Sequence, residues 1–322
     1  MIALKRDYSP QPDLSHASER IDLACAFRWT VRLGFNEGVA NHFSLAVNED
    51  GTQFLMNPNL RHFSRISASE MLLLDANDSA TMEHPDAPDP TAWGLHGSIH
   101  RHCPHARCVM HLHPVYSTVL ASLADSNLPP IDQTSVSFYQ RYVIDEEYGG
   151  LAFENEGERC AAQLSDPKNK VMIMGNHGLM VIGKDVADTF NRLFYFERAA
   201  ENYIKALWTA KPLRVMSAEI AEKTALEQES YPEFAEKHFE ELKAILDEED
   251  QDIYFKLGLQ LDPEDNEDTA GTPEAGNGLF LRAGMQLDVP LLDVQFLGTA
   301  QVAIGGGQAS GYFYIPEFTF FS

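Results

Sequence analysis

Short apolar segments of this chain occur in closely spaced pairs, with helical patterns between the pairs. Segments 43–47 and 53–56 flank a turn at 48–51, which is typical of a β-hairpin. Another pair, 171–174 and 179–182, is separated only by Gly-Asn-His-Gly. Because hairpin-linked strands run antiparallel, the sequence predicts an α/β fold whose central sheet is mainly antiparallel.

Apolar residues recur at helical spacing in several segments between these strands. The pattern predicts helices over 18–33, 91–102, 155–164 and 185–208. Segment 67–74 opens with Ser-Ala-Ser-Glu, which resembles the capping box that begins many helices. An apolar strand is predicted over 107–113, directly after the second helix.

The composition is ordinary for a globular enzyme, with 44% apolar and 22% charged residues among 322. No apolar run approaches the ~20 residues that a membrane-spanning helix needs, so we expect no membrane insertion. The formal net charge of −24 repels polyanions, because affinity for nucleic acid comes largely from lysine and arginine. We therefore expect a small-molecule substrate and neither nucleic acid nor a membrane as partner.

The cysteines indicate reduced thiols, because they form no C-x-x-C pair and no disulfide framework. The chain has four of them: Cys25, Cys103, Cys108 and Cys160. The first residues include Lys5, Arg6 and Asp7 but no apolar segment of the signal-peptide type. Both observations favour a cytoplasmic protein.

Composition divides the chain into four predicted segments. A folded domain is predicted over 1–212, followed by an acidic helical extension over 213–261. Residues 262–278 have the acidic and small-residue composition of a linker. The last segment, 279–322, is apolar and rich in glycine, and its composition assigns it no role.

Two histidines, His111 and His113, stand near the end of the predicted strand 107–113. Side chains two apart on a strand project to the same side, so both imidazoles can bind one ion. His177, in the turn between the last strand pair, is the natural third ligand, since catalytic zinc sites often use three protein ligands. Chance is an alternative in a chain with 12 histidines, and His96 and His100 fit a helix-surface or core pair.

Four blocks of the sequence resemble the class II aldolase/adducin family, and the resemblance extends over about residues 19–211. The blocks are GVANHFSLAV, NPNLRHFSRISASEMLLLD, WGLHGSIHRHCPHARCVMHLHPVYSTVLA and GNHGLMVIGKDVADTFNRLFYFERAAENY. The resemblance implies a three-layer α/β/α domain, commonly a homotetramer with active sites between subunits. It also implies that His111, His113 and His177 bind a divalent metal, with Zn²⁺ as first choice and Mn²⁺, Co²⁺ or Fe²⁺ as alternatives.

The chain departs from the family's sugar-phosphate aldolases at their catalytic glutamate, where Ala92 stands. Asp89 and Glu83 are nearby acids, but loop acids are usually solvated. The candidates that remain for acid-base chemistry are Tyr148, in a stretch similar to a family turn, a metal-bound water, and His96.

The segment that grips phosphate in those aldolases is also altered, so a carboxylate-bearing or hydroxylated substrate is favoured over a sugar phosphate. Asn41, Ser64 and Arg65 are the predicted substrate-binding residues. Further candidates for anion or hydroxyl contacts are His42, Arg61, Ser67, Ser69 and Arg141.

Three functions are compatible with these residues. The first is a metal-dependent lyase of the aldolase or decarboxylase type that forms a metal-stabilised enolate. The second is a non-catalytic, adducin-like scaffold, although the chain lacks the basic tail of adducins. The third is an Fe(II)-dependent oxygenase, because three histidines with open positions also suit iron.

Overall fold

The structure is a computed structural model that describes residues 15–78, 80–83, 87–147, 156–231 and 233–248 in full. It also describes the strand backbones 259–261, 279–289 and 294–304. The chain divides into two compact units, Met1–Tyr254 and Phe255–Ser322.

One sheet of seven strands forms the centre of the first unit. The strands are β1 (His42–Ala46), β2 (Gln53–Met56), β3 (Leu72–Asp75), β4 (Cys108–Leu112), β5 (Tyr142–Asp145), β6 (Val171–Met174) and β7 (Gly178–Gly183). They lie in the order β3-β2-β1-β4-β7-β6-β5. All neighbours are antiparallel except β5 and β6, which are parallel.

Helices cover the sheet in the first unit. They are α1 (Ala17–Arg32), α2 (Pro90–His102), α3 (Val115–Ala121), α4 (Glu156–Gln163), α5 (Val186–Trp208), α6 (Ala218–Glu229) and α7 (Phe234–Glu248). Helices α2 and α4 pack on one face, where Ile99 and Cys160 share a buried apolar cluster with Val109 and Met180.

Helix α1 lies on the opposite face of the sheet. Phe27 of α1 stacks on Phe43 of β1 with ring centroids 4.9 Å apart, whereas the adjacent His42 contacts His96 of α2. Because successive side chains of a strand point to opposite faces, α1 and α2 must lie on opposite sides. Helix α5 contacts α1, α3 and strands β4 and β7. The predicted α/β fold with a mainly antiparallel sheet is therefore confirmed.

The last two helices of the first unit pack against it at several points. The Trp29 indole donates to the Leu242 carbonyl at 2.8 Å, and Phe190 contacts Phe239. These contacts join α7 to α1 and α5. The domain boundary predicted at residue 212 stays a prediction, and the predicted linker 262–278 lies outside the described residues.

The second unit is described as backbone only. Strands β8 (Leu259–Leu261), β9 (Leu279–Val289) and β10 (Val294–Ile304) form an antiparallel sheet in the order β10-β9-β8. Two of them lie in the segment 279–322, for which a small β-appendage, a strand added to a neighbouring subunit and a poorly ordered end were all open from the sequence.

The segment 67–74 differs from the helix that its opening residues suggest. Ser67 and Glu70 do form a capping box, but it closes only one 3-10 turn at Ala68–Glu70. The three leucines that follow form β3, and their backbone groups pair with β2. Within the described ranges, no helix has the length and apolarity needed to cross a bilayer.

Candidate metal centre

Three histidine rings converge where β4 ends beside the turn between β6 and β7. His111 lies in β4, His113 follows one residue after it, and His177 lies in the turn. The Nε2 atoms of His111 and His113 are 3.1 Å apart, and one nitrogen from each of the three rings lies within 4.8 Å of the others. The structure thus brings together the three residues predicted as metal ligands.

The turn that carries His177 needs its neighbouring glycine. A Cβ atom added to Gly178 would lie 2.5 Å from Cδ2 of His113 and 2.8 Å from the Leu112 carbonyl oxygen. No side chain fits at these distances, because real Cβ contacts essentially never fall below 3.0 Å. Gly178 therefore permits β7 to approach the two histidines of β4.

The hydrogen bonds of the other ring nitrogens indicate which tautomers are present. Nδ1 of His111 faces the Leu179 carbonyl at 3.1 Å and must donate to it. Nδ1 of His113 contacts the Glu37 carboxylate, which accepts a hydrogen bond in the same way. Both Nε2 atoms are then unprotonated, and a carboxylate or carbonyl behind a ligating histidine is the usual arrangement in metal sites.

Burial lowers the pKa of two of these imidazoles. It lowers the pKa of His111 well below its ordinary value, and the neighbouring rings of His42 and His113 lower it further. Burial, followed by the neighbouring His113, lowers the pKa of His177 to about 4. Metal binding requires deprotonated ligands, so the donor set fits a divalent ion at neutral pH.

No carboxylate stands at the position of the aldolase glutamate, which Ala92 occupies. Ala92 is 1% exposed and belongs to an apolar cluster with Phe54 and Met56. The nearby Asp89 caps α2 by accepting from the Thr91 and Ala92 backbone N–H groups at 2.9 and 3.2 Å, and Glu83 is exposed on a turn. Asp89 is therefore engaged in holding the helix.

His96 lies behind the three histidines in a chain of buried hydrogen bonds. Its Nε2 is 2.7 Å from Nδ1 of His42, and its Nδ1 is 2.5 Å from the Ser44 hydroxyl. The same hydroxyl is 2.7 Å from Nε2 of His100. We call His42, Ser44, His96 and His100 the histidine network. His96 and His100 thus form a satisfied core pair, and the catalytic role of His96 stays a prediction.

Asn41 stands beside this network with one polar group unused. Its Oδ1 accepts from the Glu37 N–H at 2.6 Å, which fixes the orientation of the amide. Its Nδ2 is buried and has no hydrogen-bond partner among the described residues. An orphaned buried donor is rare, and it is consistent with the predicted substrate-binding role.

The remaining predicted substrate contacts lie farther along the chain. Ser64 and Arg65 are exposed on the turn Phe63–Arg65, where the Ser64 hydroxyl contacts Nδ1 of His62 at 2.7 Å. His62 in turn lies 3.4 Å from the Asn36 amide, next to Glu37. Tyr148 lies outside the described residues.

Two arginines considered as substrate partners form structural ion pairs instead. Arg61 pairs with Glu70 at 2.7 Å. Arg141 is buried, pairs with Glu229 at 3.1 Å and also contacts Glu222, both on α6. Arg141 was therefore wrong as a substrate contact, because its guanidinium is already engaged by these glutamates.

Sequence patterns missed two residues of this region. Glu37 is an exposed loop acid with no motif of its own, and only the fold brings it to His113. Ser44 is one of many serines, but its spacing two residues after His42 places both side chains on the same face of a strand.

The fold and the histidine centre together define a class II aldolase-like protein. Residues 21–204, more than half of the chain, match the Class II Aldolase and Adducin N-terminal domain, and the chain belongs to this family. Decarboxylase NovR from Streptomyces niveus is 31% identical over 186 residues, which are 55% of this chain and 68% of that protein.

Two further similarities bear on fold and chemistry. The 4-hydroxy-3-prenylphenylpyruvate oxygenase/4-hydroxy-3-prenylbenzoate synthase of Streptomyces roseochromogenus subsp. oscitans is 31% identical over 163 residues, 50% of this chain and 58% of that protein. An aldolase II superfamily protein from Pseudomonas syringae superposes with a TM-score of 0.65 at 26% identity, covering 76% of this chain and 96% of that one. The predicted family and fold class are thereby confirmed.

Proposed function

We propose that the protein is a divalent-metal-dependent lyase of the aldolase or decarboxylase type, acting on a small carbonyl or carboxylate substrate. The observation that supports this most is the convergence of the imidazole rings of His111, His113 and His177. The similarity to a protein named as a decarboxylase supports the lyase class.

Three nitrogen ligands suit a site that does chemistry. When bound, a divalent ion polarises a substrate oxygen and stabilises the negative charge that cleavage leaves on the substrate. Three protein ligands leave room for substrate, which favours Zn²⁺, while Mn²⁺, Co²⁺ and Fe²⁺ also accept imidazole.

The other residues of the proposed site bind and orient the substrate. Asn41 has a free amide donor for a substrate oxygen, and Ser64 and Arg65 are proposed to contact its polar end. Tyr148 is proposed to return the proton after cleavage, with His96 acting only through His42.

We also propose a cytoplasmic homotetramer. Several apolar side chains are largely exposed on the single chain, among them Leu60 at 72%, Val115 at 62% and Trp208 at 71%. Exposed apolar groups of this size are candidates for burial between subunits.

The experiment is metal analysis of the purified full chain, wild type and His111→Ala, after loading with Zn²⁺ and removal of excess ion. We expect about one equivalent per chain in the wild type and loss in the variant. His102→Ala is the matched control, since His102 is about half exposed and pairs with Glu158. Binding that survives His111→Ala would contradict the proposed centre.

Iron-dependent oxygenation is a second candidate, favoured by the similarity to a protein named as an oxygenase. Small 2-oxo acids are incubated with the Zn²⁺-loaded and the Fe²⁺-loaded protein, with and without O₂. Product formation without O₂ supports the lyase, and product formation coupled to O₂ uptake supports the oxygenase. A tetramer that binds metal but turns over no substrate supports the adducin-like scaffold.

A further inference from the structure

The histidine network ends at the metal centre. His42 of β1 pairs with His111 of β4 in the sheet register. Their rings stack with centroids 4.8 Å apart and planes inclined by 29°. His42 is 7% exposed, and its Nε2 has no hydrogen-bond partner among the described residues. Its ring therefore borders the centre without belonging to the three-histidine cluster.

Each hydrogen bond of the network needs one donor and one acceptor, so its imidazoles must supply acceptor nitrogens. Burial lowers the pKa of His100 to about 3 and that of His96 well below its ordinary value. A neutral imidazole carries one N–H and one acceptor nitrogen, and a serine hydroxyl carries one proton. The hydrogen bonds of the network can therefore run in only two directions.

The far end of the network favours one direction. Nδ1 of His100 is sealed from solvent without a hydrogen bond of standard geometry among the described residues. The Ala106 carbonyl is beside this ring and raises the pKa of His100 against the effect of burial. A carbonyl can only accept, so it favours the proton on Nδ1 and leaves Nε2 of His100 as an acceptor.

The proton on Nδ1 of His100 determines where the other protons of the network lie. Ser44 donates its hydroxyl to Nε2 of His100 and accepts from Nδ1 of His96. Nε2 of His96 is then an acceptor, and Nδ1 of His42 donates to it. His42 is left with an unprotonated Nε2 on a ring that stacks against His111.

We propose that His42 Nε2 is a hydrogen-bond acceptor for a substrate hydroxyl at the metal centre, with Ser44, His96 and His100 as positioning residues that fix its tautomer. The inference rests on the proposed metal-dependent function. The expected substrate is then a small carbonyl or carboxylate compound with a hydroxyl group next to the oxygen that binds the ion.

The first test is the tautomer of His42, measured by long-range ¹H–¹⁵N correlation on the ¹⁵N-labelled full chain, metal-free and Zn²⁺-loaded. A protonated imidazole nitrogen and an unprotonated one have well-separated ¹⁵N shifts, and the His42 signals are assigned by their loss in His42→Phe. We expect the proton on Nδ1. A proton on Nε2 would overturn the proposal.

Ser44→Ala tests the positioning role. Without the hydroxyl, His96 loses the partner that fixes its tautomer, and we expect His42 to show both tautomers. Ser98→Ala is the matched control, because Ser98 is a buried serine of α2 whose hydroxyl donates to Glu158 outside the network. An unchanged His42 spectrum in Ser44→Ala would contradict the positioning role.

The second test uses glycolate and methoxyacetate, which differ in whether the oxygen next to the carboxylate carries a proton. Binding to the Zn²⁺-loaded wild type is expected to favour glycolate by roughly 2- to 12-fold, the range of one hydrogen bond. His42→Phe keeps an aromatic ring beside His111 and is expected to abolish this preference. A preference that persists in His42→Phe comes from shape and contradicts the proposal.

The outcomes separate the two proposals. Failure of Zn²⁺ to bind the wild type overturns the proposed metal-dependent function, and the inference about His42 with it. Zn²⁺ binding with equal affinity for the two acids keeps the metal centre and overturns the role of His42 alone.

Discussion

Arg141 and its ion pairs with Glu222 and Glu229 form a cluster that we call the Arg141 anchor. The histidine centre and the Arg141 anchor both bury polar groups in the same unit, but the polar groups find partners in different ways. Arg141 directs its guanidinium to the Tyr139 carbonyl and to the carboxylates of Glu222 and Glu229, so donors meet acceptors. In the centre, His111 and His113 point two acceptor nitrogens at each other. The first arrangement is complete without a ligand, whereas the second gains a favourable contact only from a cation or a proton donor.

The comparison separates structural from functional polar groups. A buried polar atom without a partner costs about 1–3 kcal/mol, so converging acceptors are retained where a ligand compensates for them. A saturated group such as Arg141 needs no further partner. Substitutions in the histidine centre should therefore change ligand affinity, whereas substitutions in the Arg141 anchor should change stability.

The largest effect is expected from His177→Ala. Removing one of three proposed ligands should weaken Zn²⁺ binding by at least about 100-fold, beyond the 10- to 100-fold typical of residues behind the ligands. Affinity is measured by competition with a chelator of known strength, and the thermal midpoint of the metal-free protein should change little. A small loss of affinity would mean that His177 lies near the ion without binding it.

Glu37→Gln should have the next largest effect on the centre. The carboxylate holds Nδ1 of His113, and its replacement by an amide removes the charge that makes the imidazole a better donor to a metal. We expect Zn²⁺ affinity to fall by about 10- to 100-fold. Glu49→Gln, at an exposed acid of the turn between β1 and β2, should leave affinity unchanged.

Arg141→Met should affect stability and leave the centre intact. The substitution removes a buried side chain that makes charged hydrogen bonds to α6. The remaining glutamates are partly exposed and can be solvated, so we expect a loss of about 2 kcal/mol, in the range of hydrogen bonds to charged groups. Urea unfolding measures the loss, and Zn²⁺ affinity should stay within about twofold.

The contrast between the two regions also explains what could be predicted from the sequence. His111 and His113 are predictable because strand alternation alone puts them on one side, and the two turns predict antiparallel pairing. The Arg141 anchor and the contact between Glu37 and His113 are not predictable, because each joins residues far apart in the chain. The first depends on the packing of α6, and the second depends on the packing of a loop. The histidine network depends on the register that sets His42 opposite His111, and no local pattern specifies that register.

The smallest effect concerns Asp89, the acid nearest to the position of the missing glutamate. If it serves only as the helix cap, Asp89→Asn should retain stability, since asparagine caps as well as aspartate, and Asp89→Ala should lose about 1 kcal/mol. Neither change should alter Zn²⁺ affinity by more than about twofold. Urea unfolding and the chelator competition measure both quantities in parallel. If Asp89→Asn kept the fold but lost turnover of a substrate that the wild type cleaves, Asp89 would belong with the unsaturated groups of the centre. Unchanged turnover in Asp89→Asn would leave Asp89 with the capping role alone.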